Sequence, residues 1–319
     1  MRVLRRLLLA FVSVSMVIGA GAGTSSAAPV NLGPLPVPFD LGAGLWIGML
    51  PEVAPPGAND PTCKPSKEHP NPVILVNSTA TNQSLAWQAG APFLKNNGYC
   101  VFTFNYGNPT WIGQTPFQAL DDIRTGSHRL AAEVDKVRVL TGAEKVDLVG
   151  HSQGGGLMPL YYLNVMGGDR FVDKMVGISP SNHGTSLNGI VFLRTMFGPL
   201  GPGVYRGLEM ITPALIQQAM DHPVQQQIYG NGDTRPGVTY TTIVTEYDEV
   251  VTPHTHQYLA EGPNVTNIHL QEGCPQDRSD HISTLYNERS LRFVLNALDP
   301  ENQNPVPCMP QGFIFPGNW

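Results

Sequence analysis

Val146-Asp147-Leu148-Val149-Gly150-His151-Ser152-Gln153-Gly154-Gly155-Gly156 decides how this 319-residue chain is read. An apolar, β-compatible run leads into Gly-x-Ser-x-Gly, and Gly155 to Met166 continues as an apolar stretch able to form a helix, with Pro159 tolerable only in its first turn. A serine projected from a sharp strand-to-helix turn is crowded on both sides, so only very small residues fit two positions before and after it. Gly150 and Gly154 meet that demand. Such a turn holds the hydroxyl clear of the sheet, and the following amide, here Gln153, points towards an oxygen that becomes negative in acyl-transfer chemistry. A chain with 34 glycines can produce the pentapeptide by accident; the strand before it and the helix after it make it specific.

Outward from this turn, short apolar runs alternate with helical patterns. Pro72–Val76, Tyr99–Phe104, Lys145–Val149, Lys174–Ile178, Tyr240–Val244 and Asn267–Leu270 read as strands, several of them apolar throughout, as strands buried on both faces are. Gln83–Asn96 is long enough for a helix. Leu120, Ile123, Leu130, Val134 and Val137 recur at helical spacing before a stop at Gly142, and Thr284–Leu298 reads as a closing helix. Alternation of this kind predicts an α/β fold with a mostly parallel sheet covered by helices on both faces. From 185 to about 235 the pattern is interrupted by Gly/Pro-studded apolar sequence, including Gly189–Leu200 and Leu208–Met220, read as a cap or lid above the strand ends.

The ends of the chain carry a different message. Basic Met1–Arg6, apolar Leu7–Ala20 and small Ser25–Ala28 form a secretory signal peptide, removed near residue 28. Residues 29–319 are read as a single domain, Pro/Gly-rich up to Pro70 and ending in a Pro-rich tail, 301–319. No other segment is apolar and long enough to span a bilayer, so an exported product without a transmembrane anchor is expected. A net charge of −6, 14% charged residues and no basic run argue against a nucleic-acid partner. Four cysteines in an exported chain imply two disulfides. Three connectivities are possible, and sequence order favours Cys63–Cys100 and Cys274–Cys308. No Cys-x-x-Cys spacing supports a metal site.

A serine hydroxyl needs a base, and that base an orienting carboxylate. In the α/β-hydrolase order the acid follows the serine and the histidine comes last. The loop Glu246-Tyr247-Asp248-Glu249-Val250-Val251 follows a strand, and Asp248 is the preferred acid there, with Glu246 and Glu249 as rivals and Asp280 less favoured. Of nine histidines, several precede the acid and His151 is turned away from Ser152; His254 and His256 follow Asp248 too closely, and His269 lies within a strand. His281 remains, after the last strand and before the last helix. His254-x-His256 lies beside Pro253 with no third ligand near, so it reads as surface loop and not as a metal site. A second oxyanion donor is needed from the loop after the first core strand, Asn77-Ser78-Thr79-Ala80-Thr81. Thr79 offers an amide and a hydroxyl, although the same sequence also suits an ordinary Ser/Thr turn.

Ile74–Thr81, Gly150–Gly155, Ser179–Thr185, Asp248–Val251 and Asp280-His281 occur in the order seen in class 2 secreted lipases, and the chain resembles the bacterial relatives of the fungal B-type lipases from about Cys63 to Cys308. The resemblance implies a triad of Ser152, Asp248 and His281, oxyanion donors at Thr79 and Gln153, and disulfides paired as above. Two departures stand out. Asn77-Ser78 replaces a frequent Pro-Gly or His-Gly, and Ser181 replaces an acidic residue near the fungal pocket, so substrate preference does not carry across.

These readings converge on an exported monomeric hydrolase of acyl esters such as triacylglycerols, acting alone or at a lipid–water interface, with no metal or organic cofactor. Val191, Phe192, Met196 and Phe197 are candidates for an acyl channel, although packed cap helices would read the same. A polyester or cutin-like substrate, acyl transfer to an alcohol, and a non-catalytic protein on the same scaffold are the alternatives. The last predicts a lost triad residue, and all three are present.

Overall fold

In the computed structural model, which describes residues 29–108, 115–187 and 198–313, six parallel strands form one sheet in the order β2-β1-β3-β4-β5-β6. The strands are β1 Val73–Val76, β2 Val101–Thr103, β3 Val146–His151, β4 Val172–Ile178, β5 Thr239–Val244 and β6 Val265–His269. The chain runs outward from β1 to β2, then returns across β1 to build β3 on its other side. Loops leaving β1 and β3 therefore diverge at their C-terminal ends and leave a crevice there, the usual place for a ligand in an open parallel sheet.

Side-chain alternation divides the sheet between two cores. Ile74, Val76, Val146 and Leu148 face one side, where they meet Ile123, Leu130, Val134 and Val137 of a long helix and Leu157 and Leu160 of the helix after the Ser152 turn. Val73, Leu75 and Val149 face the other, against Trp87, Phe93, Leu94, Leu291 and Val294. Burial on both faces is why these strands read as continuous apolar runs in the sequence.

The described helices are α1 Gly42–Ile47, α2 Gln83–Ala86, α3 Gly90–Asn96, α4 Ile123–Thr141, α5 Leu157–Asn164, α6 Gly201–Ile211, α7 Pro213–Gln217, α8 Pro223–Tyr229 and α9 Glu288–Leu298. The helix expected over Gln83–Asn96 is broken at Trp87–Ala89, giving α2 and α3. Pro92 has no N–H to return to Gln88, and its ring would crowd that carbonyl in a continuous helix, so α3 starts afresh and Pro92 falls in its first turn. Likewise α9 starts at Glu288, not at Thr284. Asn287 caps it by accepting the N–H groups of Arg289 and Ser290, and a short 3-10 turn, Ser283–Tyr286, precedes it. At the far end of α4, Gly142 adopts φ +79°, a left-handed stop.

Cys63 pairs with Cys100 and Cys274 with Cys308, the connectivity favoured by sequence order. The second bridge joins the loop after β6 to the proline-rich tail. Arg289, itself buried, reinforces it by donating to the carbonyls of Leu270 at 3.1 Å and Glu272 at 2.9 Å on the loop and of Val306 at 3.0 Å and Pro307 at 3.1 Å on the tail. Arg278 N–H then donates to Gln311 O at 2.9 Å.

Beneath the Ser152 turn the packing is backbone on backbone. A Cβ on Gly150 would collide with the Gly154 carbonyl, and one on Gly154 with the carbonyls of Val76 and Asn77 at the end of β1. We therefore expect Gly150→Ala to destabilise the fold by about 3 kcal/mol or more. Gly142→Ala, where nothing lies within 4 Å of the new methyl group and only the positive φ is strained, should cost roughly 1–2 kcal/mol. Equilibrium urea unfolding of the two variants checks the order; equal losses would show that the close approach is not what requires glycine.

Candidate active site

Ser152 ends β3 with φ +55°, a left-handed conformation that a serine holds only when its surroundings fix it. The glycine packing fixes it from below, and Ser181 N–H donates to Ser152 O at 3.1 Å from the end of β4. In the register Val76 lies opposite Gly150, which brings the loop after β1 alongside the turn. Asn77 closes that loop with its own side chain, Nδ2 donating to Thr81 O at 2.8 Å, while Tyr106 OH donates to Asn77 O at 2.7 Å. Ala80 N–H is held by Gln118 O at 2.9 Å.

The loops after β5 and β6 supply an imidazole and a carboxylate. His281 Nδ1 meets Asp248 Oδ2 at 2.7 Å, and both side chains are buried. The second carboxylate oxygen, Asp248 Oδ1, accepts the N–H groups of Val250 at 2.9 Å and Val251 at 2.6 Å, so the acid is oriented by its own loop. Its rivals do other work. Glu249 Oε2 accepts the backbone N–H of His281 at 3.1 Å, Glu246 lies 3.7 Å from His269, and Asp280 Oδ1 accepts from Ser283 N–H at 2.8 Å. Burial disfavours the imidazolium, but the facing carboxylates of Asp248, Glu249 and Asp280 outweigh it and hold the pKa of His281 above its ordinary 6.5. With Nδ1 bonded to Asp248, Nε2 is left for proton transfer. The hydrogen bonds of His281 include one at Nδ1, to Asp248, and one at its carbonyl, from His151, and none joins Ser152 Oγ to its Nε2.

His151 has a place the sequence reading missed. It does turn away from Ser152, and it turns towards His281: its Nε2 donates to His281 O at 2.8 Å, and the two rings lie 4.8 Å apart. The acceptor is a carbonyl, so the proton sits on Nε2. Complete burial, with the nearby His281 charge adding to it, pushes the pKa of His151 down to about 3. Thr284 Oγ1 donates to the same carbonyl at 2.8 Å. Nothing local in Gly-His-Ser-Gln-Gly announces a contact across 130 positions.

Thr79 and Gln153 come together at the β1–β3 crevice, Thr79 Oγ1 donating to Gln153 Oε1 at 2.6 Å. Gln218, just beyond α7, joins them through its Nε2, 2.9 Å from Thr79 Oγ1 and 3.4 Å from Gln153 Oε1. The candidate acyl-channel residues Val191, Phe192, Met196 and Phe197 lie outside the described residues. Among the described residues no group of three or more His, Cys, Asp or Glu side chains could hold a metal ion.

The chain matches the alpha/beta hydrolase fold family over residues 71–198. Among solved structures it is similar to Aspergillus fumigatus lipase B, at 23% identity with TM-score 0.56, covering 80% of this chain and 57% of that one. The mature form of the Bacillus licheniformis lipase BlEst2 is similar at 17% identity and TM-score 0.54, over 75% of this chain and 96% of that one. Mouse alpha/beta hydrolase domain-containing protein 10 follows at 13% identity and TM-score 0.51, over 75% and 90%. No curated protein matches the chain. At such identities the likeness establishes the fold alone: the chain has the α/β-hydrolase fold. It spans little more than half the length of the Aspergillus enzyme.

The two histidines should titrate in opposite senses. His151 stays neutral in the fold down to about pH 3 but protonates near pH 6.5 when unfolded. Its folded pKa is the lower one, so its contribution is complete above pH 6.5 and is lost as pH falls from there, by up to about 1.36 kcal/mol per unit. His281, with its pKa raised, contributes below pH 6.5 and loses that contribution as pH rises through its folded value. Urea unfolding between pH 4 and 6 should show a shallower pH dependence in His151→Phe than in the parent; an unchanged slope would contradict the buried neutral imidazole.

Proposed function

We propose that this chain is a secreted serine hydrolase of carboxylic esters, of the lipase or esterase kind, with Ser152 as nucleophile, His281 as base and Asp248 as its orienting acid. The observation that carries the reading is the buried Asp248–His281 pair at 2.7 Å, anchored to His151, the residue next to a positive-φ Ser152. His281 Nε2 takes the Ser152 proton as Oγ attacks the ester carbonyl, and Asp248 stabilises the imidazolium that forms. The amide of Gln153, with the amide and hydroxyl of Thr79, receives the oxyanion. Collapse expels the alcohol, which leaves with the proton from His281; water then repeats the sequence and frees the acid. The Ser152–His281 hydrogen bond forms as the ester binds, since such contacts are commonly loose without substrate. No metal or organic cofactor enters.

An apolar, water-insoluble ester suits the surroundings. Asn82, at the end of the loop that carries Thr79, donates to Gly48 O at 2.8 Å and Pro116 O at 2.7 Å. It thereby brings the exposed Trp46, Met49, Leu50 and Phe117 to that side of the crevice. The segment 200–211, which ends in α6, exposes Leu200, Met210 and Ile211, with Trp46 87% and Met210 82% accessible. Apolar side chains left that open near a crevice favour contact with a greasy surface. Export is supported by the two disulfides and by the leader-like sequence 1–28. No helix among the described residues is long and apolar enough to cross a membrane.

Purified protein should hydrolyse p-nitrophenyl esters, and Ser152→Ala should lower kcat by about 10⁴-fold or more. Because neutral His281 is the base and its pKa is raised, kcat/KM should climb with pH along a limb centred above pH 6.5. Asp248→Asn should lower kcat by about 10⁴-fold. No hydrolysis of any chain length, or activity that survives Ser152→Ala, would end this reading.

A further inference from the structure

The polar contacts around Thr79 assign a role to a residue outside the triad. Gln218 Nε2 donates to Ala214 O at 3.1 Å. A backbone carbonyl only accepts, so this bond fixes which end of the Gln218 amide is nitrogen. The same nitrogen lies 2.9 Å from Thr79 Oγ1 and 3.4 Å from Gln153 Oε1, so both of those oxygens act as acceptors towards it. Thr79 must then send its own proton elsewhere, and the acceptor at hand is Gln153 Oε1 at 2.6 Å. The Thr79 hydroxyl is therefore turned onto a side-chain oxygen, and only after rotation could it donate to an oxyanion.

We infer that Gln218 is a positioning residue for the oxyanion site: its amide N–H moves from Thr79 Oγ1 onto Gln153 Oε1 as the Thr79 hydroxyl rotates towards the developing negative charge. The inference rests on Ser152 being the nucleophile. No bond is made or broken in the exchange beyond the hydrogen bonds themselves. Gln153 is fully buried, so losing the Thr79 proton would leave its carbonyl oxygen with only the long 3.4 Å bond from Gln218. Gln218 supplies the replacement from a position already 3.4 Å away. It is braced for this. Its backbone carbonyl accepts from Thr185 N–H at 2.8 Å, its own N–H donates to Ala214 O at 3.3 Å, and Ala214 N–H is held by Leu120 O at 3.2 Å.

The test is a kinetic double-mutant cycle. Gln218→Met keeps the length and removes the amide; it should lower kcat about tenfold with KM nearly unchanged. Gln218→Glu keeps the shape but offers an acceptor, so it competes for the Thr79 proton and should lower kcat further. Thr79→Val, which removes the hydroxyl, should lower kcat by roughly 10²-fold, within the range seen for loss of one oxyanion donor. In the Thr79→Val background, Gln218→Met should have no further effect, because Gln218 acts through that hydroxyl. Multiplicative losses in the double variant would overturn the inference and point to general loosening, as would a Gln218→Met enzyme with parental kcat. Thermal unfolding of each variant identifies any that fold poorly, and the Met and Glu variants then stand in for each other. With Ser152→Ala inactive, an additive cycle overturns this inference alone; if Ser152→Ala stays active, the nucleophile assignment and this inference fail together.

Discussion

Gly150, Gly154, Gly155 and Gly177 leave no side chain between the ends of β1, β3 and β4 and the turn that carries Ser152. Backbone therefore rests on backbone there. The carbonyls of Val76 and Asn77 lie so close under Gly154 that the loop after β1 is forced against the start of the helix after β3. This brings Thr79 within hydrogen-bonding reach of Gln153. The same crowding holds Ser152 at φ +55°. A larger residue at any of these points would move Ser152 and the loop that carries Thr79 apart, which couples the stability of the turn to the geometry of the site.

The centre of the sheet was legible because β1, β2 and β3 are buried on both faces. Val73–Val76 is apolar throughout and Val146–Val149 is interrupted only by Asp147, and each lies in the sheet within a residue or two of its expected bounds. Helix ends were less legible where the stop signal was local and subtle. The Trp87–Ala89 break depends on Pro92, which a hydrophobic pattern alone does not weigh, and the start of α9 depends on a single capping amide at Asn287. The two disulfides were readable from order along the chain, since each closes a short stretch, 37 and 34 residues apart.

Within the site, the side chains joined by known chemistry could be named from sequence: Asp248 and His281 meet as the order of the motifs implied. What sequence did not carry was the supporting polar network. His151 and Gln218 form side-chain hydrogen bonds to residues 130 and 139 positions away, and neither contact has a periodicity or a motif. Glu249 illustrates the same limit. It stood as a rival acid, yet it serves the His281 loop by accepting a backbone N–H, a distinction between neighbouring carboxylates that only loop geometry makes.

The bond between Cys274 and Cys308 and the four carbonyls gathered by Arg289 fasten the His281 loop to a segment that lies later in the chain. Synthesis proceeds from the N-terminus, and early segments fold first. The turn at Ser152 and the loop at Thr79 can thus form while the imidazole and its carboxylate still lack their fastening. That fastening waits for residue 308 to emerge and for its thiol to be oxidised, so the order of residues along the chain places the fixing of the Asp248–His281 pair at the end of maturation.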